Sequence, residues 1–343
     1  MTQVCERHIG ITGLIVAALV LASCNIAREP VWELSQELVI ELADDERVRD
    51  LQIAPNGELL GILTGQRMHV YNFPGLKELW YHETAPDDFV FSQDGTMLAY
   101  DPRYEQIEIL QANTGEAVQA LTSGLERATS IGVFAFSPDD SLLAATVTPG
   151  PGEPTVVVIW DTHTAEKALT LQAEEALTAY EGMSWRPMTV EFSPDGSILA
   201  TGLFGSRIIL WDIQTGARIR DLRDLENAFG TVDTLSWHPD DTLLVSGNRG
   251  GTVAIWDPYA GELLRSFEVD AKYPRTDVYL SPNGRILAIG TSNGIQLLDT
   301  EGNLLQTFEV QAEFGFSIAW SPDGKHLAAS DGSGQVYVWE TQE

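Results

Sequence analysis

A four-residue polar turn recurs seven times along the chain, and each copy leads into a short apolar strand. The copies are Ala54-Pro55-Asn56-Gly57, Ser92-Gln93-Asp94-Gly95, Ser137-Pro138-Asp139-Asp140, Ser193-Pro194-Asp195-Gly196, His238-Pro239-Asp240-Asp241, Ser281-Pro282-Asn283-Gly284 and Ser321-Pro322-Asp323-Gly324. Consecutive copies lie 38 to 56 residues apart. Self-similarity at that period marks a repeat architecture, in which each unit has an apolar face that only its neighbours can bury. Proline at the second position presets φ for a turn, and Asp-Gly or Asn-Gly tolerates the positive φ of a tight hairpin.

The segments between turns repeat as well. An apolar strand such as Thr189-Val190-Glu191-Phe192 enters the turn, and a Leu-Ala strand such as Ile198-Leu199-Ala200 leaves it. A Gly-rich turn then leads to a β-branched strand, as in Val253-Ala254-Ile255-Trp256, and a third turn such as Gln214-Thr215-Gly216 starts a fourth. Four short hairpin-linked strands per repeat make one small antiparallel sheet, the blade of a propeller. The fold class predicted is therefore all-β, a seven-bladed beta-propeller.

These residues resemble the WD-repeat family. The dipeptide stands at Trp160-Asp161, Trp211-Asp212 and Trp256-Asp257, with weaker versions at Tyr71-Asn72, Leu298-Asp299 and Trp339-Glu340, and only Leu110-Gln111 in the second repeat. The resemblance extends from about Leu34 to the C-terminus. It departs from the family in one respect: no repeat has the Gly-His pair, because none of His69, His82, His163, His238 and His326 stands at that place. The family's buried His-Asp-Ser-Trp tetrad is therefore not expected here. The strand-end tryptophans Trp160, Trp211, Trp256 and Trp339 are expected in the core.

The seventh repeat ends four residues after Trp339 and lacks a fourth strand, while Leu34 to Leu42 is strand-like and has no repeat of its own. That segment is expected to latch the ring by completing blade seven, which also covers an open sheet edge. Such a ring, closed on itself, is expected to be monomeric.

Residues 1–23 read as an address. Ile9 to Ala22 is a low-polarity run ending in Leu21-Ala22-Ser23-Cys24. It is short for a spanning helix, which needs about 20 apolar residues, and suits a signal-peptide core. The four residues look like a bacterial lipobox, which implies that Cys24 is lipidated and becomes the mature N-terminus; an uncleaved anchor is the other reading. Only Cys5 and Cys24 are present, so cleavage would leave no intramolecular disulfide. The domains expected are a signal peptide over 1–23, a short tether over 24–33 and the propeller over 34–343. A bacterial cell-envelope location, outside the cytoplasm and on a lipid anchor, follows.

The net charge of −30 at pH 7 makes nucleic acid an unfavourable partner and leaves membrane attachment to the lipid. No paired-histidine zinc motif, calcium loop, phosphate loop or nucleophile elbow stands in the chain. No catalytic residue, cofactor or metal is assigned, and the turn aspartates are read as structural. The widest gap between turns, from Pro138 to Pro194, holds Tyr180, Met183, Trp185 and Arg186, residue types enriched in binding hot spots. Phe229, Tyr273, Arg275 and Phe314 fall in later inter-blade connections. In related propellers such connections share one face with the turn lengthened by Thr148 to Pro154. That face is the expected site for a protein partner; the alternative is that these aromatics plug the gaps between blades. The predicted function is a noncatalytic protein-interaction scaffold. Its rivals are an envelope-assembly lipoprotein of quinoprotein-like repeats, suggested by Pro74 to Trp80, and a propeller enzyme with an axial site.

Overall fold

The structure is a computed structural model. It describes residues 31–38, 47–83, 86–102, 106–122, 128–150, 153–172, 187–224, 230–270, 277–291, 293–310, 317–331 and 334–342. Among these residues there are twenty-eight strands and no helix, arranged as seven four-stranded antiparallel sheets in a ring. Strands are numbered in chain order, and from β2 onward each blade takes consecutive numbers. The inner strands are β2 (Val48–Ile53), β6 (Phe89–Phe91), β10 (Ser130–Phe136), β14 (Thr189–Phe192), β18 (Val232–Trp237), β22 (Val278–Leu280) and β26 (Ser317–Trp320). The outer strands of blades one to six are β5 (Glu78–His82), β9 (Ala117–Leu121), β13 (Lys167–Leu171), β17 (Arg218–Arg223), β21 (Glu262–Glu268) and β25 (Leu304–Phe308).

Blade seven is completed from the other end of the chain. Strand β1 (Val31–Leu38) pairs antiparallel with β28 (Val336–Gln342), which pairs with β27 (His326–Ser330). The expected latch is present. It starts at Val31, so it takes in the last residues of the segment read as tether (24–33). A strand that returns across the whole sequence ties the ring shut and covers the edge of β28.

The second and third strands of each blade are almost wholly buried because both faces pack on neighbouring blades, which explains their continuous apolar runs. Strands Leu59–Thr64 and Ile198–Leu203 are buried at every position. The four strand-end tryptophans are core residues, between 0% and 3% exposed. Seven apolar clusters fill the gaps; one joins Ala328, Val336 and Val338 of blade seven to Leu51, Leu60 and Tyr71 of blade one.

Part of the tetrad survives. The indole N–H groups of Trp211 and Trp256 donate to Thr201 Oγ1 and Ser246 Oγ, each at 3.0 Å. In these two blades the bond from Trp to the Ser or Thr hydroxyl forms without the Gly-His pair. In blade three the matching residue is Ala145, and Trp160 Nε1 has no partner.

The seven turns interlock. In most, the Ser hydroxyl donates to the Asp or Asn two residues on and accepts the N–H of the next strand, as in Ser193 with Asp195 (2.7 Å) and Ile198 (3.0 Å). Pro322 packs on Gly57, Asn56 on Gly95, Pro138 on Gly196, His238 on Gly284 and Pro282 on Gly324. Blades two and three meet differently. Gln93 replaces the usual proline and so keeps an N–H, and Asp140 accepts it at 2.6 Å together with that of Asp94 at 2.9 Å.

Candidate functional site: the channel and its connection face

Inner strands are sheet edges, so one row of their backbone groups faces the channel without a strand partner. Polar side chains of one blade satisfy the inner strand of the next. Ser317 Oγ accepts the Leu51 N–H at 3.0 Å, and Gln52 Nε2 donates to Phe89 O at 2.7 Å. Asp88 accepts the Phe134 N–H at 3.2 Å, Thr234 that of Val278 at 3.3 Å and Ser236 that of Leu280 at 3.2 Å. Sequence reasoning missed these residues. Their signal is a polar residue at inward positions of otherwise apolar strands.

Inner strands run from the face that carries the inter-blade connections to the face that carries the seven turns. At the connection face the channel holds a cavity of about 630 Å³, which shares lining residues with one of about 700 Å³ farther down. Asp50, Asp87, Asp88, Asp233 and Asp277 line the mouth against Arg47 and Arg49. Asp233 is paired with Arg249 at 3.0 Å, Asp50 accepts the Ser317 hydroxyl at 2.7 Å, and Arg49 approaches Asp87 at 3.8 Å. The excess of carboxylates makes the mouth attractive to basic side chains.

Farther down, Glu191 is the one carboxyl at its level. The other blades offer Gln52, Val90, Ala135, Ser236, Tyr279 and Ala319 two residues before the turn. Burial pushes its pKa up to about 8, against the opposing effect of the Trp237 N–H that it accepts. Its Oε2 is buried without a hydrogen-bond partner. Thr189, Ser236 and Tyr279 line the same cavity as this raised carboxyl. Among the described residues no group of three or more His, Cys, Asp or Glu could hold a metal ion.

The turn aspartates have structural partners. Asp139 and Asp195 are held below the usual carboxylate range, first by the hydroxyls of Ser137 and Ser193. Asp94 is lowered too, its hydrogen bonds to Thr96 and Ser92 outweighing burial. Asp241 is pushed up by burial and by the nearby charges of Asp195 and Asp240, despite the Tyr259 hydroxyl that it accepts.

Blade four carries a positive island in this acidic protein. Arg207 grips Asp221 with two hydrogen bonds of 2.8 Å, and Arg218 and Arg223 bond the same carboxylate. Burial alone would raise the Asp221 pKa, but Arg223 and Arg207 bring it below normal. Arg220 reaches to blade five, donating to Tyr259 O at 2.8 Å.

The residues expected to bind a partner, Tyr180, Met183, Trp185, Arg186, Phe229, Tyr273 and Arg275, lie outside the described residues, as do Phe314 and Cys24. The strands that flank them are described. Segment 173–186 joins the end of β13 to the start of β14, and 225–229 and 271–276 likewise lead into β18 and β22, all from the connection face. Trp80 proves to be a docking residue: its Nε1 donates to Ala112 O of blade two at 2.9 Å, and its ring lies on Gly115.

Together these features define a seven-bladed β-propeller closed by its N-terminal strand. The family described as "WD domain, G-beta repeat" matches residues 177–212, 221–257 and 302–340, so WD repeats are found in three places, centred on blades four, five and seven. The chain is also similar to the WD repeat-containing protein SL1-17 of Schistosoma mansoni, with 28% identity over 170 residues, which cover 49% of this chain and 55% of that protein. The chain thus spans about half the length of this relative.

Proposed function

We propose that this chain is a lipid-anchored, extracytoplasmic propeller that acts as a noncatalytic protein-interaction scaffold. A WD-repeat propeller fits such a role, because its rigid ring presents loops for binding. The observation that carries the reading is the contrast between the two faces. The turn face is uniform and interlocked, whereas the connection face receives the long and varied segments and the acid-lined mouth. Tyr180, Met183, Trp185 and Arg186 in the longest of these segments, with Phe229, Tyr273 and Arg275, form the proposed partner surface. The mouth favours a partner that offers Lys or Arg.

Attachment through Cys24 rests on the Leu21-Ala22-Ser23-Cys24 motif. No helix among the described residues is long and apolar enough to cross a membrane. Crosslinking in intact membranes with partner identification tests the scaffold reading: Trp185→Ala with Arg186→Ala is expected to lose the crosslinked partner, and unchanged crosslinks would refute this surface. Cys24→Ala is expected to move the protein from the membrane to the soluble fraction, and mass spectrometry of the mature N-terminus should show acyl chains on Cys24. An unmodified, soluble wild type would refute the anchor.

A further inference from the structure

The latch fixes which side of the ring the N-terminus leaves from. In blade seven Glu33 pairs with Glu340, and Glu340 pairs with His326, the second residue after the turn Ser321 to Gly324. At its other end Leu38 pairs with Val336, and Val336 with Ser330. Strand β1 therefore starts at the turn face and runs toward the connection face. Seven residue steps separate Val31 from Cys24, a reach of at most roughly 25 Å even when fully extended.

A second observation falls on the same side. The outer strands of blades one to six also start at the turn face, and exposed apolar side chains gather in their first three residues. Leu79, Val118, Ile219, Leu264 and Leu304 are examples, with Leu264 52% and Leu304 57% exposed. Tyr259, in the turn before β21, joins them, whereas Tyr81 alone among the exposed large apolar residues described lies farther up its strand. Exposed charges stand at both ends of these strands, Glu78, Lys167 and Glu262 beside the apolar rim and Arg223 and Glu268 at the far end. Beside the apolar rim, Asp212 is held below its usual pKa by the Thr215 hydroxyl and N–H, and Asp299 by hydrogen bonds to Asn303 and Glu301 that outweigh burial. Those ionised groups keep the rim out of the acyl region, so any contact is at headgroup level.

Resting on the lipid-anchored reading above, we infer that the turn face is the surface held against the bilayer, and that the connection face with its channel mouth points away from the membrane. A short tether leaving one face brings that face close to the lipid, and the apolar rim suits the interfacial zone. The opposite orientation would require the tether to pass the height of a blade before reaching the membrane. The face that carries the varied connections is thereby left open to partners.

The test uses the full chain with Cys5→Ser, lipidated at Cys24 and reconstituted into phosphatidylcholine vesicles that carry a headgroup-linked energy acceptor. A donor dye is placed at Gln214→Cys, exposed on the turn face, or at Gln66→Cys, exposed on the connection face. The faces are separated by about six strand residues at ~3.3 Å each, so transfer from position 214 should exceed that from 66 by about twofold or more. Equal transfer, or more from 66, in vesicle-bound protein overturns the orientation alone. If the protein does not bind vesicles and mass spectrometry finds no acyl group on Cys24, the anchoring reading fails and the orientation falls with it.

Discussion

Trp160, Trp211 and Trp256 hold the same place in three blades, yet the indole N–H of Trp160 has no hydroxyl to bond. The reason is one side chain: Ala145 stands where Thr201 and Ser246 stand in blades four and five. Leaving a buried donor unpaired costs about 1–3 kcal/mol, so Ala145→Ser is expected to stabilise the ring by about 1 kcal/mol, measured as a higher urea midpoint. Glu191 gives a residue-scale prediction of another kind. Its carboxyl titrates near 8 when folded, above the ordinary value of 4.5. A raised folded pKa means that the native state binds the extra proton, so this group's contribution to stability is fully present below about pH 4.5 and is lost as pH rises through about 8. Glu191→Gln should remove that slope. The variant should be more stable than wild type at pH 9, with the difference shrinking toward pH 5, as read from unfolding midpoints across that range. The tryptophan positions could be read from the repeats, and so could their burial. Whether each found a partner could not, because a hydrogen bond depends on the residue across the hairpin.

At the scale of elements, blades are joined by two sets of contacts. Inner strands are stitched through channel-facing side chains, and outer strands dock on the next blade's last turn. Trp80 lies on Gly115, Leu169 on Gly216, Arg220 on Gly261 and Phe267 on Gly302. Gly115 has φ of 71°, and a Cβ there would lie 2.8 Å from the Trp80 ring. Gly115→Ala therefore strains the backbone and displaces Trp80 at once. It is expected to cost about 2 kcal/mol, seen in the thermal midpoint and in tryptophan emission. Strand number, order and turn chemistry were legible from the alternation of apolar strands with Pro, Asp and Gly. The docking role of Trp80 was not. Its sequence context, Pro74 to Trp80, suggested a different repeat type, and only the neighbouring blade shows what the indole meets.

At the scale of the molecule, closure decides stability. Each blade is a small sheet with apolar faces on both sides, so an open ring would leave two faces wet. The pairing of β1 with β28 is the one link between the chain's ends through a shared sheet. Deleting residues 31–38 should lower the thermal midpoint by roughly 5–10 °C and raise self-association in light scattering, because β28 becomes a free edge. An unchanged midpoint would show that the contacts between blades seven and one suffice alone. By itself the sequence determined the fold class, the number of blades, the turn residues, the core tryptophans and the need for a latch, because each follows from local periodicity and backbone preference. Tertiary structure alone decided which side chains bridge blades, why Glu191 resists ionisation, and from which face β1 enters the ring. Those properties depend on the spatial relation of residues far apart in the chain, such as Ser317 and Asp50, which are 267 positions apart, and no local pattern encodes them.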